Sequence, residues 1–241
     1  MNKQQIIFRD LGLTDYQSAW DYQENLLQEN VRRKSLVFSR ESTAREDLLT
    51  TQHYLLFTEH FPVYTLGKSG NKENVLLADD ELREKGIAFF HTNRGGDITF
   101  HGPGQIVGYP ILDLEKFETD IGKYLRNLEE VIILALAGYG IKADRSAGET
   151  GVWIDPGVPG RERKICAIGV RCSRWITMHG FAFNVNTDLA YFKYIIPCGI
   201  NNKQVTSLQK ELGRKADMQE VKERIKQNFE KVFDAELSTG N

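Results

Sequence analysis

Cysteine is scarce in this chain: there are three, Cys166, Cys172 and Cys198, in 241 residues. An odd count without a C-x-x-C pair speaks against a secreted disulfide framework and against a structural zinc site. Proline is equally sparse, at six, and no biased tract occurs, which excludes collagen-like, low-complexity and disordered chains. Nowhere do about 18 apolar residues run together, so no spanning helix is expected. The N-terminal Met1-Asn2-Lys3-Gln4-Gln5 leads only into the short patch Ile6-Ile7-Phe8, which is no signal-peptide core. Neither sign of charge is in excess, since 31 Lys+Arg against 33 Asp+Glu leave −2. No overall field favours nucleic acid, and any partner must be recognised locally. The absences together describe a protein of a reducing compartment, expected to be cytoplasmic, with neither nucleic acid nor membrane among its partners.

Hydrophobic residues make up 41% and charged residues 27%. A compact chain of this length buries about 70–75% of its unfolded surface, enough for a core without a metal or disulfide staple. No linker or repeat interrupts it, so one domain over residues 1–241 is expected. Ile6 to Arg9 reads as a short strand, and Thr14 opens a helix with Tyr16, Trp20, Gln23 and Leu27 on one face. Asn30 to Thr51 is polar and reads as loop-rich. Further strands are predicted at Tyr54–Phe57, Ile106–Leu112, Gly151–Ile154, Ile165–Cys172 and Trp175–Asn184. Thr119 or Asp120 caps one helix, and Asp217 with Glu220 starts a last one striped by Met218, Val221, Ile225, Phe229 and Val232. Strands and helices do not alternate regularly, so the expected class is α+β with a mixed β-sheet flanked by helices.

Chemistry is suggested at several points. Cys198 sits between Pro197 and Gly199, where strand geometry breaks and a thiol can face a substrate. Cys166 and Cys172 share parity with Ile168 and Val170 and read as packed residues. Lys164 stands beside Arg161 and Arg163. A free thiol of pKa about 8.5 is only a few per cent thiolate at neutral pH, so a neighbouring cation would activate it. His101 and His179 each precede a glycine, and either is a candidate base for Cys198. Arg94-Gly95-Gly96 suggests an anion site lined by backbone N–H groups and a guanidinium.

The run Arg94-Gly95-Gly96-Asp97-Ile98-Thr99-Phe100-His101-Gly102-Pro103-Gly104-Gln105 resembles the signature of the lipoyl(octanoyl) transferases. The similarity continues through Glu59-His60 to Gly67, Gly151-Val152-Trp153-Ile154, Lys164 to Arg171, His179-Gly180-Phe181-Ala182-Phe183-Asn184 and Pro197-Cys198-Gly199-Ile200. It spans about Leu11 to Leu208, and the tail beyond Leu212 adds nothing diagnostic. The resemblance implies the biotin/lipoate protein ligase-like fold. It also implies a reaction: an octanoyl group moves from the thioester of acyl carrier protein to a lysine amine of a lipoyl domain. Such acceptors would be the lipoyl domains of 2-oxoacid dehydrogenase complexes and the glycine cleavage H protein. It implies Cys198 as nucleophile and Lys164 as its partner. Substrate contact is implied for Arg94, Gly95, Gly96, Asp97, Ile98, Thr99, Phe100 and His101. A second group comprises Ala167, Ile168, Gly169, Gly180, Phe181 and Ala182. Phe100, where tyrosine or tryptophan is commoner, and Cys166, where a smaller residue is usual, depart from the pattern.

A thioester already carries an activated acyl group, so no ATP, cofactor or metal is expected. Rival readings are an ATP-dependent lipoate or biotin ligase, a cysteine hydrolase, and a non-catalytic module that binds carrier proteins. For acidic carriers, Arg145, Arg161 and Arg163 are the candidate docking groups.

Overall fold

The structure is a computed structural model and describes residues 3–38, 50–196 and 204–239. Strand β1 (Gln4–Thr14) feeds helix α1 (Tyr16–Phe38), and the chain returns as β2 (His53–His60), parallel to β1. Sequence pattern predicts strand only at Ile6–Arg9. The longer β1 follows from pairing on both sides, with β2 and with the parallel β12 (Ala235–Thr239), which satisfies backbone groups that composition cannot reveal. Asp15, rather than Thr14, opens α1 by accepting from the Ser18 N–H at 2.9 Å. The helix also continues past Asn30, where polar composition suggests a loop. Glu29 pairs with Arg32 at 2.8 Å and with Arg33 at 2.9 Å, and such i+3 and i+4 pairs sustain a solvated helix.

The main sheet continues with β6 (Gln105–Ile111), β7 (Ala143–Ser146), β8 (Glu149–Ile154), β9 (Arg163–Ser173) and β10 (Ile176–Asn184). Its order is β12-β1-β2-β6-β10-β9-β8-β7, with the short β11 (Gln204–Val205) paired parallel to β9. Pairing is parallel among β12, β1 and β2 and antiparallel from β2 to β7, so the sheet is mixed, as expected. Strands β6 and β10 are buried along their whole length because both faces are covered.

One face carries α3 (Ile121–Ala137), the short α4 (Leu208–Leu212) and α5 (Met218–Phe233). There Leu55, Phe57, Ile106, Phe181 and Phe183 meet Leu128, Val131 and Ile132 of α3 and Val221, Ile225 and Phe229 of α5. Each such side chain contributes about 1.5–3 kcal/mol by leaving water. Asp120 caps α3 through the Lys123 N–H, and Asp217 caps α5 through the N–H groups of Gln219 and Glu220. The tail beyond Leu212 therefore supplies core and one sheet edge, although it carries no motif.

The opposite face takes α1, whose Ala19 and Leu27 pack on Leu56, Val107, Tyr109 and Met178. A second sheet, ordered β4 (Ala88–His91), β3 (Val63–Leu66), β5 (Ile98–His101), stands beside α1. Tyr64, Leu66, Ile98 and Phe100 form its own core with Leu82 of α2 (Asp79–Glu84). Among the described residues, no helix is long and apolar enough to cross a membrane.

Candidate active site

A cleft of about 370 Å³ lies between the small sheet and the floor made by β6, β10 and β9. The floor is laid out by register: Gln105 faces Asn184, then Val107 and Ala167 flank Ala182, then Gly169 faces Gly180. Small side chains there leave the space open. The Arg94-Gly95-Gly96 segment roofs it, with the Gly95 N–H donating to the Val170 carbonyl at 2.9 Å. That approach requires glycine at 169, where a Cβ would stand 2.7 Å from the Gly95 carbonyl oxygen.

Arg94 lines the cleft, and its guanidinium also serves the roof. It donates to the carbonyl oxygens of Thr65 (2.6 Å), Asp97 (2.8 Å) and Gly95 (3.0 Å) and to the Thr65 hydroxyl at 2.9 Å. From Thr65 a directed chain of hydrogen bonds crosses the site. The Thr65 hydroxyl donates to His101 Nε2 at 3.2 Å, and His101 Nδ1–H donates to Gln105 Oε1 at 2.8 Å. The Gln105 amide donates to Asn184 Oδ1 at 2.8 Å, and the Asn184 amide donates to the Thr206 carbonyl at 3.1 Å. The Thr206 N–H closes on the Lys164 carbonyl at 2.9 Å. Every donor in this buried chain has its acceptor, which fixes the His101 tautomer and ties the roof to the strand that carries Lys164.

His101, His179 and His60 are held neutral. Burial drives His101 well below its ordinary pKa, with the neighbouring His60 and Arg94 adding to the effect. His179 falls to about 3, by burial first and the charges of Arg94 and Arg171 second, and its Nε2–H donates to Asn93 Oδ1 at 2.7 Å. His60 falls to about 4 through burial, between the Thr14 carbonyl and the Tyr109 hydroxyl.

Lys164 reaches the cleft through a break in strand periodicity. Strict alternation from Cys166 would turn it toward the α3 and α5 core. Instead Ile165 and Cys166, adjacent in sequence, are both buried in that core. The β8–β9 register slips between Val152 and Trp153, so that Val152 faces Cys166 and Trp153 faces Lys164. One extra residue on β9 reverses parity, and Lys164 lands on the cleft side with Ala167 and Gly169. Its stem passes Gly151, where φ is +123° and a Cβ would meet Lys164 Cε at 3.4 Å. Its Nζ lies 4.6 Å from the centroid of the Trp153 ring. Behind Gly151, the fully buried Glu129 accepts the Gly151 N–H at 2.9 Å and pairs with Arg126 at 2.8 Å and Arg145 at 3.0 Å.

Cys198, the expected nucleophile, lies outside the described residues. The chain on either side of the undescribed segment does border the cleft, at Phe192 before it and at Val205 after it, and Val205 pairs with Lys164. Cys166 is buried and its thiol pKa is pushed up by desolvation, in keeping with a packed residue. Gly96, Asp97, Ile98, Thr99, Ile168, Phe181 and Ala182 line the cleft together with the site residues already described. Gly95 and Phe100 do not. Gly95 turns onto β9, and Phe100 points into the small-sheet core, stacked on Tyr191 at 4.5 Å. Tyr16, Tyr109, Asn184 and Val205 also line the walls, and sequence pattern does not single them out because they come from four separate elements. Of the arginines expected to dock a carrier, Arg145 pairs with Glu129 and Glu130, and Arg163 with Asp155 and Glu211. Those two are structural clamps, and exposed Arg161 lies 3.3 Å from Asp155.

The sequence matches the family model described as the lipoyl protein ligase A/B catalytic domain over residues 15–230. A curated protein named octanoyltransferase from Christiangramia forsetii is 58% identical, covering 98% of this chain and 99% of its own length. One of the same name from Flavobacterium johnsoniae is 59% identical over 98% of this chain and 100% of its own. Among solved structures, a lipoate-protein ligase A bound with ATP aligns with a TM-score of 0.68 at 13% identity, over 99% of this chain and 89% of its own. A bipartite lipoate protein ligase from Thermoplasma acidophilum gives 0.67 at 15%, over 100% and 87%. The mixed sheet and its helices are thus the lipoate-ligase fold, and the chain belongs to the lipoyl protein ligase A/B catalytic family.

Proposed function

We propose that this chain is an octanoyltransferase that carries an octanoyl group from acyl carrier protein to a lysine amine of lipoyl domains, through a thioester on Cys198. The near full-length identity to proteins of that name supports the reaction. The observation that carries it to the site is a cleft floored by Ala167, Ala182, Gly169 and Gly180 with Lys164 at its border. A straight alkyl chain fits such a floor, at about 0.8 kcal/mol per buried methylene.

In the first half-reaction the Cys198 thiolate attacks the thioester carbonyl and expels the carrier thiolate, which takes its proton from the Lys164 ammonium and leaves that lysine a neutral amine. In the second, the acceptor lysine amine attacks the new thioester, loses a proton and returns the Cys198 thiolate. Splitting one transfer into two thioester-level steps needs no external energy source. As an ammonium, Lys164 favours the Cys198 thiolate; as a free amine, it accepts the proton of the incoming lysine. The histidines are poor alternatives. His179, at about 3, is too weak a base, and His101 has both ring nitrogens engaged within the buried chain. The acceptors included in this reading are the lipoyl domains of 2-oxoacid dehydrogenase complexes and the glycine cleavage H protein, in the cytoplasm.

Incubation with octanoyl carrier protein and an apo lipoyl domain, without ATP, tests the proposal. Amide product is expected. Free octanoate would instead mark a hydrolase, and product only with ATP and free octanoate would mark a ligase.

A further inference from the structure

The geometry points to Tyr16 as the stop that closes one end of the cleft and limits the length of the acyl chain. This rests on the function proposed above, in which the chain lies along the floor with its carbonyl toward Lys164. The floor rows repeat every two residues: Gln105 and Asn184 first, the Ala182–Ala167 pair second, the Gly180–Gly169 pair third. Two strand residues advance about 6.7 Å, so the first and third rows lie about 13 Å apart. Val205 and Asn184 line the cleft where this path begins, and Val205 pairs with Lys164.

The third row is where the path stops. Tyr109 follows Gly108 on β6, one step beyond the Phe181–Gly108 pair, and the roof rests on Gly169. Tyr16, in the first turn of α1, lines the cleft, is 4% exposed, and packs on His60, whose Nε2 is bonded to the Tyr109 hydroxyl at this end. Its ring stacks on His101 at 5.9 Å with an 8° interplanar angle, and meets His60 edge-on at 5.3 Å. Both imidazoles are fixed, His101 by Thr65 and Gln105, His60 by the Thr14 carbonyl and the Tyr109 hydroxyl. A ring held on two sides by hydrogen-bonded neighbours is a wall and not a gate.

An extended acyl chain advances about 1.3 Å per carbon, given single bonds of about 1.5 Å. From its carbonyl carbon an octanoyl group then reaches about 9 Å. Van der Waals contact with a wall adds about 4 Å. Together these match the spacing between the first and third rows. A decanoyl group overruns the wall by roughly 2.5 Å, and a hexanoyl group leaves a gap of that size.

The test is kcat/KM for hexanoyl, octanoyl, decanoyl and dodecanoyl carrier thioesters in wild type, Tyr16→Ala and Tyr16→Phe. The decanoyl-to-octanoyl ratio within one preparation is independent of how much protein is folded, so lost stability cannot imitate the effect. Tyr16→Ala should raise that ratio roughly 15-fold, the worth of two newly accommodated methylenes. Tyr16→Phe keeps the ring and should leave the ratio unchanged. An unchanged ratio in Tyr16→Ala, or a Tyr16→Phe ratio that moves as far, overturns the stop while leaving octanoyl transfer intact. Wild-type protein that transfers no chain of any length overturns the proposed function itself.

Discussion

Removing the Glu129 carboxylate should damage both stability and the placement of Lys164, by an amount the geometry bounds. Its side chain is fully buried and satisfies three donors: the Gly151 N–H at 2.9 Å, Arg126 at 2.8 Å and Arg145 at 3.0 Å. Breaking a buried ion pair by deleting one partner costs about 3–5 kcal/mol. The arginine side chains are 43% and 30% exposed, so water recovers part of that loss. The Gly151 N–H has no such recourse, and an orphaned buried donor costs about 1–3 kcal/mol. Glu129→Ala should therefore lose about 3 kcal/mol, read as a urea midpoint or as a melting temperature lowered by about 6–12 °C for a chain of this size. Glu129→Gln retains an oxygen for Gly151 and should lose about half as much. Because Gly151 supports the Lys164 stem, amide formation by Glu129→Ala, assayed where both variants are folded, should fall below that of Glu129→Gln. A Glu129→Ala loss under about 1 kcal/mol, or equal losses in the two variants, would refute the clamp.

Three further outcomes are expected. Intact-protein mass after mixing with octanoyl carrier protein should show an adduct absent from Cys198→Ala, and an adduct mapped to Cys166 or Cys172 would remove Cys198 from its role. Lys164→Arg keeps the charge but cannot release a proton, so it should form acyl-enzyme yet stall in transfer by about 10²–10⁴-fold, while Lys164→Met should be slow in both half-reactions. Wild-type transfer rates in Lys164→Arg would exclude the base role. Burial holds His53 and His60 at about 4 and His179 at about 3 in the folded protein. As the unfolded chain takes up protons near pH 6.5, stability should be complete above that pH and decline as it falls toward 4. Equal urea midpoints at pH 7 and pH 5 would contradict that burial.

The parts of the site that were legible in sequence are those whose backbone demands a residue type. Arg94-Gly95-Gly96 could be singled out because Gly96, at a φ of +87°, turns the roof, while Gly169 and Gly180 leave no room for a Cβ beside the Gly95 and Gly108 carbonyls. The helix stripe of α5 was legible because its period of 3.6 is written in apolar residues that all meet one core. Tyr16, Asn184 and Val205 were not, since each joins the cleft only through pairing between strands and helices distant in sequence. Composition likewise hid the pairing of Arg145 and Arg163, whose partners lie on other elements.

Lys164 marks the limit between the two cases. Alternation along β9 correctly puts Cys166, Ile168, Val170 and Cys172 against one core. Extended two residues back, the same rule buries Lys164 in that core, where an ammonium without a partner would cost several kcal/mol. A single extra residue at Ile165 is enough to reverse this, because side-chain direction in a strand has a period of two. The only trace in the sequence is Gly151 on the neighbouring strand, a residue that weakens a strand unless a bulge or a close approach requires it. Its φ of +123° and the lysine stem packed against it supply that reason. The position of the candidate proton carrier thus depends on one slipped register, held from behind by Glu129, and neither pattern nor propensity along β9 could have placed it.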